Sequence, residues 1–229
     1  MSSQDLRAFR VTAATTWNAF VESAAYHAFP QLWEWGELRA MGGWRPVRLL
    51  VGPSRTEPLA GAQLLLRDVR LLGWRLAYVP RGPIGALDEP RVRDGLVAAL
   101  RGLGREERIA TVRIDPETTA ADPYGAALAA AGGPWREATK VQPPVTRLLD
   151  LSPSLDELRA GMRRKHRQYV NKAERGGVSI ERFDGASDPA ATRQALVDFN
   201  RIYNLTADRA GFVARMPYYY SRVWSTFAP

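Results

Sequence analysis

Cysteine is absent from this 229-residue chain. Disulfides, thiolate metal sites and a cysteine nucleophile are therefore excluded. Histidine is nearly absent: His27 and His166 are the only two. Two imidazoles cannot build a His-rich metal centre, and they leave few ways to assemble a Ser-His-Asp triad. No run approaches the roughly 18 apolar residues of a membrane-spanning helix. The opening Met1-Ser2-Ser3-Gln4-Asp5 lacks the basic start and apolar block of a secretory signal. The expectation is a cytoplasmic protein without a metal.

What is present is an ordinary globular mixture. Hydrophobic residues make up 45% and aromatics 10%, enough apolar surface to offset the ordering entropy that keeps polar chains disordered. The length suffices for one or two domains with real cores. Lys plus Arg number 32 against 24 Asp plus Glu, for a net charge of +8, and nearly all of the positive charge is arginine. A guanidinium matches phosphate and carboxylate bidentately. Abundant Ala and Gly beside the arginine also fit high-GC codon usage, so charge alone does not identify an anionic partner.

Patterning predicts alternating strands and helices. Residues 7–14 read as a short strand, and Thr15 and Thr16 offer an N-cap for a helix with Trp17, Phe20, Val21 and Ala24 at helical spacing. Gln31 to Met41 reads as a helix stopped by Gly42-Gly43. Strands follow at Val47–Val51, Leu59–Leu66 and Leu71–Val79, before the Pro80-Arg81-Gly82-Pro83 loop. Pro90–Gly104 suits a helix, Ile109–Ile114 a strand, Pro123–Ala131 a short helix and Val145–Leu151 a strand. A second part then begins. It reads as a long helix over Leu155–Arg175, a strand over Val178–Phe183, and helices over Pro189–Leu205 and Met216–Phe227. This alternation predicts an α/β or α+β protein, with domains over 1–146 and 147–229. The second part has three helices and few strands to receive their apolar faces, so its remainder is expected to be missing.

The Leu155–Arg175 segment carries the densest charge. At 100° per residue, Leu155, Leu158, Met162, Tyr169 and Ala173 form one stripe, with Arg163, Arg164, Arg167 and Arg175 away from it. Arg163 and Arg167, four apart, repel each other on a helix. An anion between them would offset that cost, and a solvated basic face is the plain alternative. His166 falls in the stripe, which predicts a packed, hydrogen-bonded side chain rather than a catalyst.

Several stretches resemble the Fem-type aminoacyltransferases of bacterial cell-wall synthesis. Lys165 to Val178, KHRQYVNKAERGGV, is similar to that family's basic helix followed by Ala-Glu-basic-Gly-Val. The lead-in Thr146-Arg147-Leu148-Leu149-Asp150-Leu151 fits as well. Gln31-Leu32-Trp33-Glu34-Trp35-Gly36 resembles the family's Gln-x-x-x-Trp-Gly helix, Arg81-Gly82-Pro83 its Arg-Gly-Pro loop, and Asp115-Pro116 its strand-ending Asp-Pro. Thr206-Ala207-Asp208-Arg209-Ala210-Gly211-Phe212 and Tyr218-Tyr219 resemble its Thr-x-x-Arg-x-x-Phe and Tyr pair. Each motif is weak alone. Their shared order over about 200 residues carries the resemblance.

The resemblance implies two acyltransferase-like (GNAT-like) domains, each a mixed sheet flanked by helices, the second incomplete. It implies transfer of an amino acid from a charged tRNA to an amine of a UDP-linked or lipid-linked muramyl-pentapeptide, with aminoacyl-tRNA as co-substrate and no further cofactor. A lipid-linked acceptor would bring the protein to the inner membrane face. Carried over by position, Arg39 and Arg167 are expected to meet the precursor's phosphates, Tyr219 its peptide or sugar, and Asp115 the acceptor amine. Arg163 and Arg164 are candidates for the tRNA phosphates, whose binding is salt-sensitive. Each has a plainer reading: Arg39 a surface arginine favoured by a helix C-terminus, Tyr219 a core residue at helical spacing with Val223 and Trp224, Asp115 a turn residue before Pro116.

Two other readings stay open. An acetyl-CoA enzyme of the same broad fold needs a loop of backbone amides for pyrophosphate. Arg81-Gly82-Pro83-Ile84-Gly85-Ala86 has the wrong spacing for one, and Pro83 has no N–H. A non-catalytic nucleic-acid-binding protein would explain the basic helix and none of the other motifs.

Overall fold

A computed structural model describes residues 5–25, 28–69, 73–117, 136, 138–139, 141–143, 147, 149–216 and 218–227. The chain divides into two compact units, one of Met1–Gln142 with Arg222–Phe227, the other of Pro143–Ser221 with Ala228–Pro229.

The first unit is built on a mixed sheet. Its strands are β1 (Arg7–Arg10), β2 (Arg45–Gly52), β3 (Ala60–Val69), β4 (Trp74–Pro80), the short β5 (Ile84–Gly85) and β6 (Ile109–Asp115). The order is β1-β2-β3-β4-β6, with β5 paired to β3. All pairs are antiparallel except β4 and β6, which run parallel. A parallel pair needs a crossover, supplied here by helix α3 (Pro90–Glu106). Pro90 opens that helix, where its missing N–H costs nothing. Val92, Leu96, Leu100 and Leu103 are buried on one side of it, as their spacing predicts.

The centre of the sheet is covered on both faces. Val47, Leu49 and Val51 of β2 join α3 in one core with Ala62, Leu64, Leu66, Ala77 and Val79. Leu50, between them, belongs to a second core with Trp17, Phe20, Val21 and Ile84. Alternate side chains leave opposite faces, which is why Leu49, Leu50 and Val51 of β2 are apolar in succession. The second core carries helices α1 (Ala14–Ser23) and α2 (Trp33–Ala40). Helix α1 begins one residue before the expected Thr15-Thr16 cap: Ala13 is the N-cap and makes no side-chain bond. The expected Gln31–Met41 helix is a single 3₁₀ turn at Phe29–Gln31 followed by α2, because Leu32 is extended between them.

At the end of α3, Glu107 gathers three arginines. Arg10 Nη2 donates to its Oε1 at 2.8 Å, Arg75 Nη1 to its Oε2 at 3.0 Å, and Arg45 Nη2 also bonds Oε2. The carboxylate is only 12% exposed. The Arg45 hydrogen bond, joined by Arg10, holds its pKa below the usual glutamate value. A depressed carboxylate contributes stability that is present above the unfolded pKa and is lost as pH falls through the folded one. Glu107→Gln is therefore expected to cost about 2 kcal/mol at pH 7. That difference should shrink below the ordinary glutamate value of 4.5, as chemical denaturation of both proteins across pH would show.

The second unit contains α4 (Leu155–Gly161), α5 (Arg164–Arg175) and α6 (Pro189–Ala210); α7 (Tyr219–Phe227) spans the division at Ser221/Arg222. The expected single helix over Leu155–Arg175 is corrected here to two. Gly161, a poor helix residue, ends α4, and Met162 and Arg163 are extended. Ser154 and Glu157 form a capping box at the start of α4. Val178–Phe183, expected as a strand, is irregular, because no described strand lies beside it to take its backbone hydrogen bonds. Residues 149–151 are also irregular. His166, expected to pack, is exposed, as are Leu155, Met162 and Tyr169 of the predicted stripe. Asp188 caps α6 through Ala191 N at 2.9 Å, and Gly211 ends it at φ 71°. Helix α6 runs five residues beyond the predicted Leu205 and takes in Thr206–Ala210. The Pro123–Ala131 helix and residues 145, 146 and 148 of the expected Val145–Leu151 strand lie outside the described residues.

Candidate active site

In open α/β sheets ligands gather at the carboxyl ends of parallel strands. Here that place is where β4 and β6 end together, with Val79 opposite Ile114 and Pro80 opposite Asp115. The Arg81-Gly82-Pro83 loop leaves β4 at this point. Asp115 N donates to Gly82 O at 3.2 Å, which ties the strand end to the loop.

A buried polar network holds the loop from the other side. Gln31 is fully buried. Its Nε2 donates to Pro80 O at 2.5 Å, and its Oε1 accepts from Gln63 N at 2.9 Å. Gln63 Nε2 donates to Pro30 O and Leu32 O, which fixes the turn entering α2. Gln63 Oε1 accepts from Arg48 Nε at 2.7 Å, and Arg48 Nη2 reaches Trp33 O and Glu37 Oε1, each at 2.9 Å. The Arg48 guanidinium carbon lies over Trp33, 3.4 Å from the ring centroid. Burial pushes its pKa down against the pull of Glu37.

Two glycines in the motifs are explained by this packing. A Cβ on Gly36 would sit 2.3 Å from Arg48 Nη2 and 2.5 Å from Gln63 Oε1. A Cβ on Gly82 would sit 2.7 Å from Gln31 Nε2. The Gln-x-x-x-Trp-Gly and Arg-Gly-Pro motifs are thus two halves of one joint, Gln31 being its pin.

Asp115 stands beside that joint. Its Oδ2 accepts from the Tyr78 hydroxyl at 3.0 Å, and Gln142 Nε2 donates to the same hydroxyl oxygen at 3.2 Å. Among the described residues no backbone N–H bonds the Asp115 side chain. Burial pushes the Tyr78 pKa up to about 12, and the Asp115 carboxylate pushes the same way. Tyr78 therefore remains a hydrogen-bond donor at any working pH. No role for Tyr78 is legible locally, since its partner lies 37 residues away in sequence and meets it only through the β4–β6 pairing.

Arg39 lies elsewhere on the unit, in the last turn of α2, with its guanidinium 6.0 Å from the Trp35 ring and 5.9 Å from the Trp44 ring. A helix C-terminus favours a cation there.

In the second unit, Arg167 turns back along the chain. Its Nη1 donates to Ala160 O at 2.9 Å and to Met162 O, satisfying carbonyls that the break between α4 and α5 leaves without helical partners. Arg159 Nη2 to Asn171 Oδ1, at 2.6 Å, fastens the same two helices. Arg163 is the N-cap of α5 and Arg164 its first residue, both exposed. Cations are disfavoured at a helix N-terminus, so an anion placed there would relieve both. Tyr219 packs edge-on to Tyr220 at 5.2 Å, beneath the Arg215 guanidinium at 5.3 Å. Tyr220 continues into a cluster with Phe199 and Tyr203. The described residues contain no group of three or more His, Asp or Glu placed to hold a metal ion.

Comparison with known proteins bears on these features together. The family model described as "FemAB family" matches residues 12–229. The chain is 26% identical over 215 residues to "Lipid II:glycine glycyltransferase" of Staphylococcus aureus, covering 90% of this chain and 49% of the relative. The form from Staphylococcus aureus strain MRSA252 is likewise 26% identical, over 216 residues. Among solved structures, "Crystal structure of FemX" superposes with a TM-score of 0.80 at 26% identity, over 95% of this chain and 54% of that one. The chain spans about half the length of the curated relatives it matches. With the family model extending over most of its length and the mixed α/β fold agreeing, the chain belongs to the FemAB family.

Proposed function

We propose that this chain belongs to an aminoacyltransferase that moves an amino acid from charged tRNA to the peptide of a peptidoglycan precursor. The observation that carries the reading is Asp115, a carboxylate without an ion pair among the described residues, held by Tyr78 where the parallel strands end.

The chemistry is addition and elimination at an ester. The acceptor amine attacks the aminoacyl carbonyl carbon, a C–N bond forms, and the C–O bond to the tRNA ribose breaks. The amine loses a proton on the way, and the ribose hydroxyl gains one on leaving. Asp115 accepts the amine's proton, which is general-base work. Tyr78 donates to the other side of the carboxylate and fixes its orientation. The ester is already activated, so alignment of the two substrates provides most of the rate gain. No enzyme-bound intermediate and no cofactor are needed.

Arg39 and Arg167 serve the precursor's phosphates in this reading, and Tyr219 its peptide or sugar. Arg163 and Arg164 serve tRNA phosphates. Arg167 has a second duty as the clasp between α4 and α5, so its replacement acts twice. The acetyl-CoA alternative finds no support at the start of α3. The N–H groups of Ala86, Leu87, Glu89, Val92 and Arg93 are all bonded to protein carbonyls there, and Pro90 has none.

The test mixes the protein with a charged-tRNA pool and soluble UDP-linked pentapeptide and reads the precursor mass. A gain of one or more aminoacyl units, dependent on the charged tRNA, is expected. Arg167→Lys keeps the charge but loses the planar fork, and should raise KM for the precursor about tenfold with a smaller change in kcat. An acetyl increment from acetyl-CoA would replace this reading with the rival one.

A further inference from the structure

One end of the sheet face that bears Tyr78 presents tryptophan and arginine together, far from the joint at Gln31. Trp74 pairs with Val69, and Arg67 with Leu76, across β3 and β4. Paired residues share a face, and so do residues two apart along a strand, so Trp74, Leu76 and Tyr78 line one side. Trp44, just ahead of β2, lies beneath the Arg67 guanidinium at 5.4 Å, with Arg39 over the same ring. Arg108 lies over Trp74 at 5.7 Å. Trp74 is 45% exposed and Leu76 43%. With Val69, Ile109 and Ala110 they line a shallow recess of about 470 Å³.

The charges around this patch are unbalanced. Among the described residues, neither Arg67 nor Arg108 makes an ion pair. The nearby carboxylates are engaged: Asp68 by Arg75, and Glu107 by Arg10, Arg45 and Arg75. Asp68, Arg75 and Arg45 stand at alternate positions, on the opposite face. An apolar centre with tryptophan at its rim and uncompensated guanidinium groups beside it matches a bilayer interface. Indole rings settle at headgroup level, arginine stems cover apolar surface while their heads meet phosphate, and anionic lipid attracts each nearby arginine.

We infer that the surface formed by Trp74, Leu76, Arg67 and Arg108 docks this protein on an anionic lipid bilayer. The inference rests on the proposed function, in which a lipid-linked acceptor is one of two forms. It also gives the surface a purpose. Tyr78 lies four residues along β4 from Trp74, about 13 Å, on the same face. A precursor held at headgroup level would extend its peptide up this face toward Asp115.

The experiment is co-sedimentation of the 229-residue protein with vesicles of phosphatidylcholine alone or with phosphatidylglycerol added, without precursor or tRNA. Binding to the anionic vesicles only is expected. Trp74→Ser with Leu76→Ser should lower the partition coefficient about tenfold, and Arg67→Ser with Arg108→Ser roughly thirtyfold. All four side chains are on the surface, and unchanged thermal midpoints confirm that the variants fold. Equal binding to both vesicles, or binding that neither double variant weakens, overturns the inference. So does a parent that sediments as a dimer, binds no vesicles and becomes monomeric on Trp74→Ser with Leu76→Ser, since the face would then be a self-contact. Transfer to the soluble UDP-linked precursor is measured beside it. Transfer with no vesicle binding removes the docking surface alone, whereas vesicle binding with no transfer removes the catalytic reading alone.

Discussion

Asp115→Asn is expected to lower kcat for aminoacyl transfer by about a hundredfold to ten-thousandfold, the range for losing a positioned general base, with little change in KM for the precursor. The substitution is nearly isosteric. Its side-chain oxygen still accepts from Tyr78, so the end of β6 and its tie to Gly82 should persist. What disappears is the capacity to take a proton from the acceptor amine. Tyr78→Phe removes only the hydrogen bond to the carboxylate and should cost about tenfold. Because the Tyr78 pKa is raised to about 12, it does not titrate during turnover, and the pH–rate profile of Tyr78→Phe should keep the parent's alkaline limb. Steady-state kinetics of the three proteins from pH 6 to about 9 decide the matter. An Asp115→Asn protein at the parent's rate would leave Asp115 a structural strand end and move the proton to solvent or substrate.

Gln31→Leu is expected to destabilise the first unit by roughly 2–6 kcal/mol. Leucine has the right size but leaves Pro80 O and Gln63 N without partners in a site where Gln31 itself is fully buried. Each orphaned group costs about 1–3 kcal/mol. The thermal midpoint should fall by about 10 °C, read by circular dichroism. Activity should fall further than stability alone explains, since the loop after β4 loses its pin while Asp115 N remains bonded to Gly82 O. A midpoint within about 2 °C of the parent would mean that the network closes without Gln31.

Strand and helix identities in the first unit were largely legible, because β2, β3 and α3 carry apolar periodicities that burial on one or two faces demands. The failures lie where local pattern and tertiary context part. A continuous helix over Leu155–Arg175 satisfies the 3.6-residue period, yet Gly161 and the Arg167 bonds to Ala160 and Met162 make a break between α4 and α5 satisfied in hydrogen bonds. Val178–Phe183 has the β-branched and aromatic content of a strand but, among the described residues, no strand to pair with. His166 follows the stripe and still faces solvent.

By itself the sequence determined the chemical vocabulary: no thiol, almost no imidazole, an arginine-rich chain, and the motif order that resembles one family. It also marked Gln31, Gly36, Gly82 and Asp115 as special without giving a reason. Only the tertiary structure gave the reason, because each depends on a partner distant in sequence. Gly36 and Gly82 lack a side chain because Arg48, Gln63 and Gln31 occupy the space where a Cβ would go. Asp115 differs from an ordinary turn aspartate because parallel pairing of β4 and β6 brings the Tyr78 hydroxyl to it. Periodicity records which side of an element is buried, and it carries no record of which two elements meet.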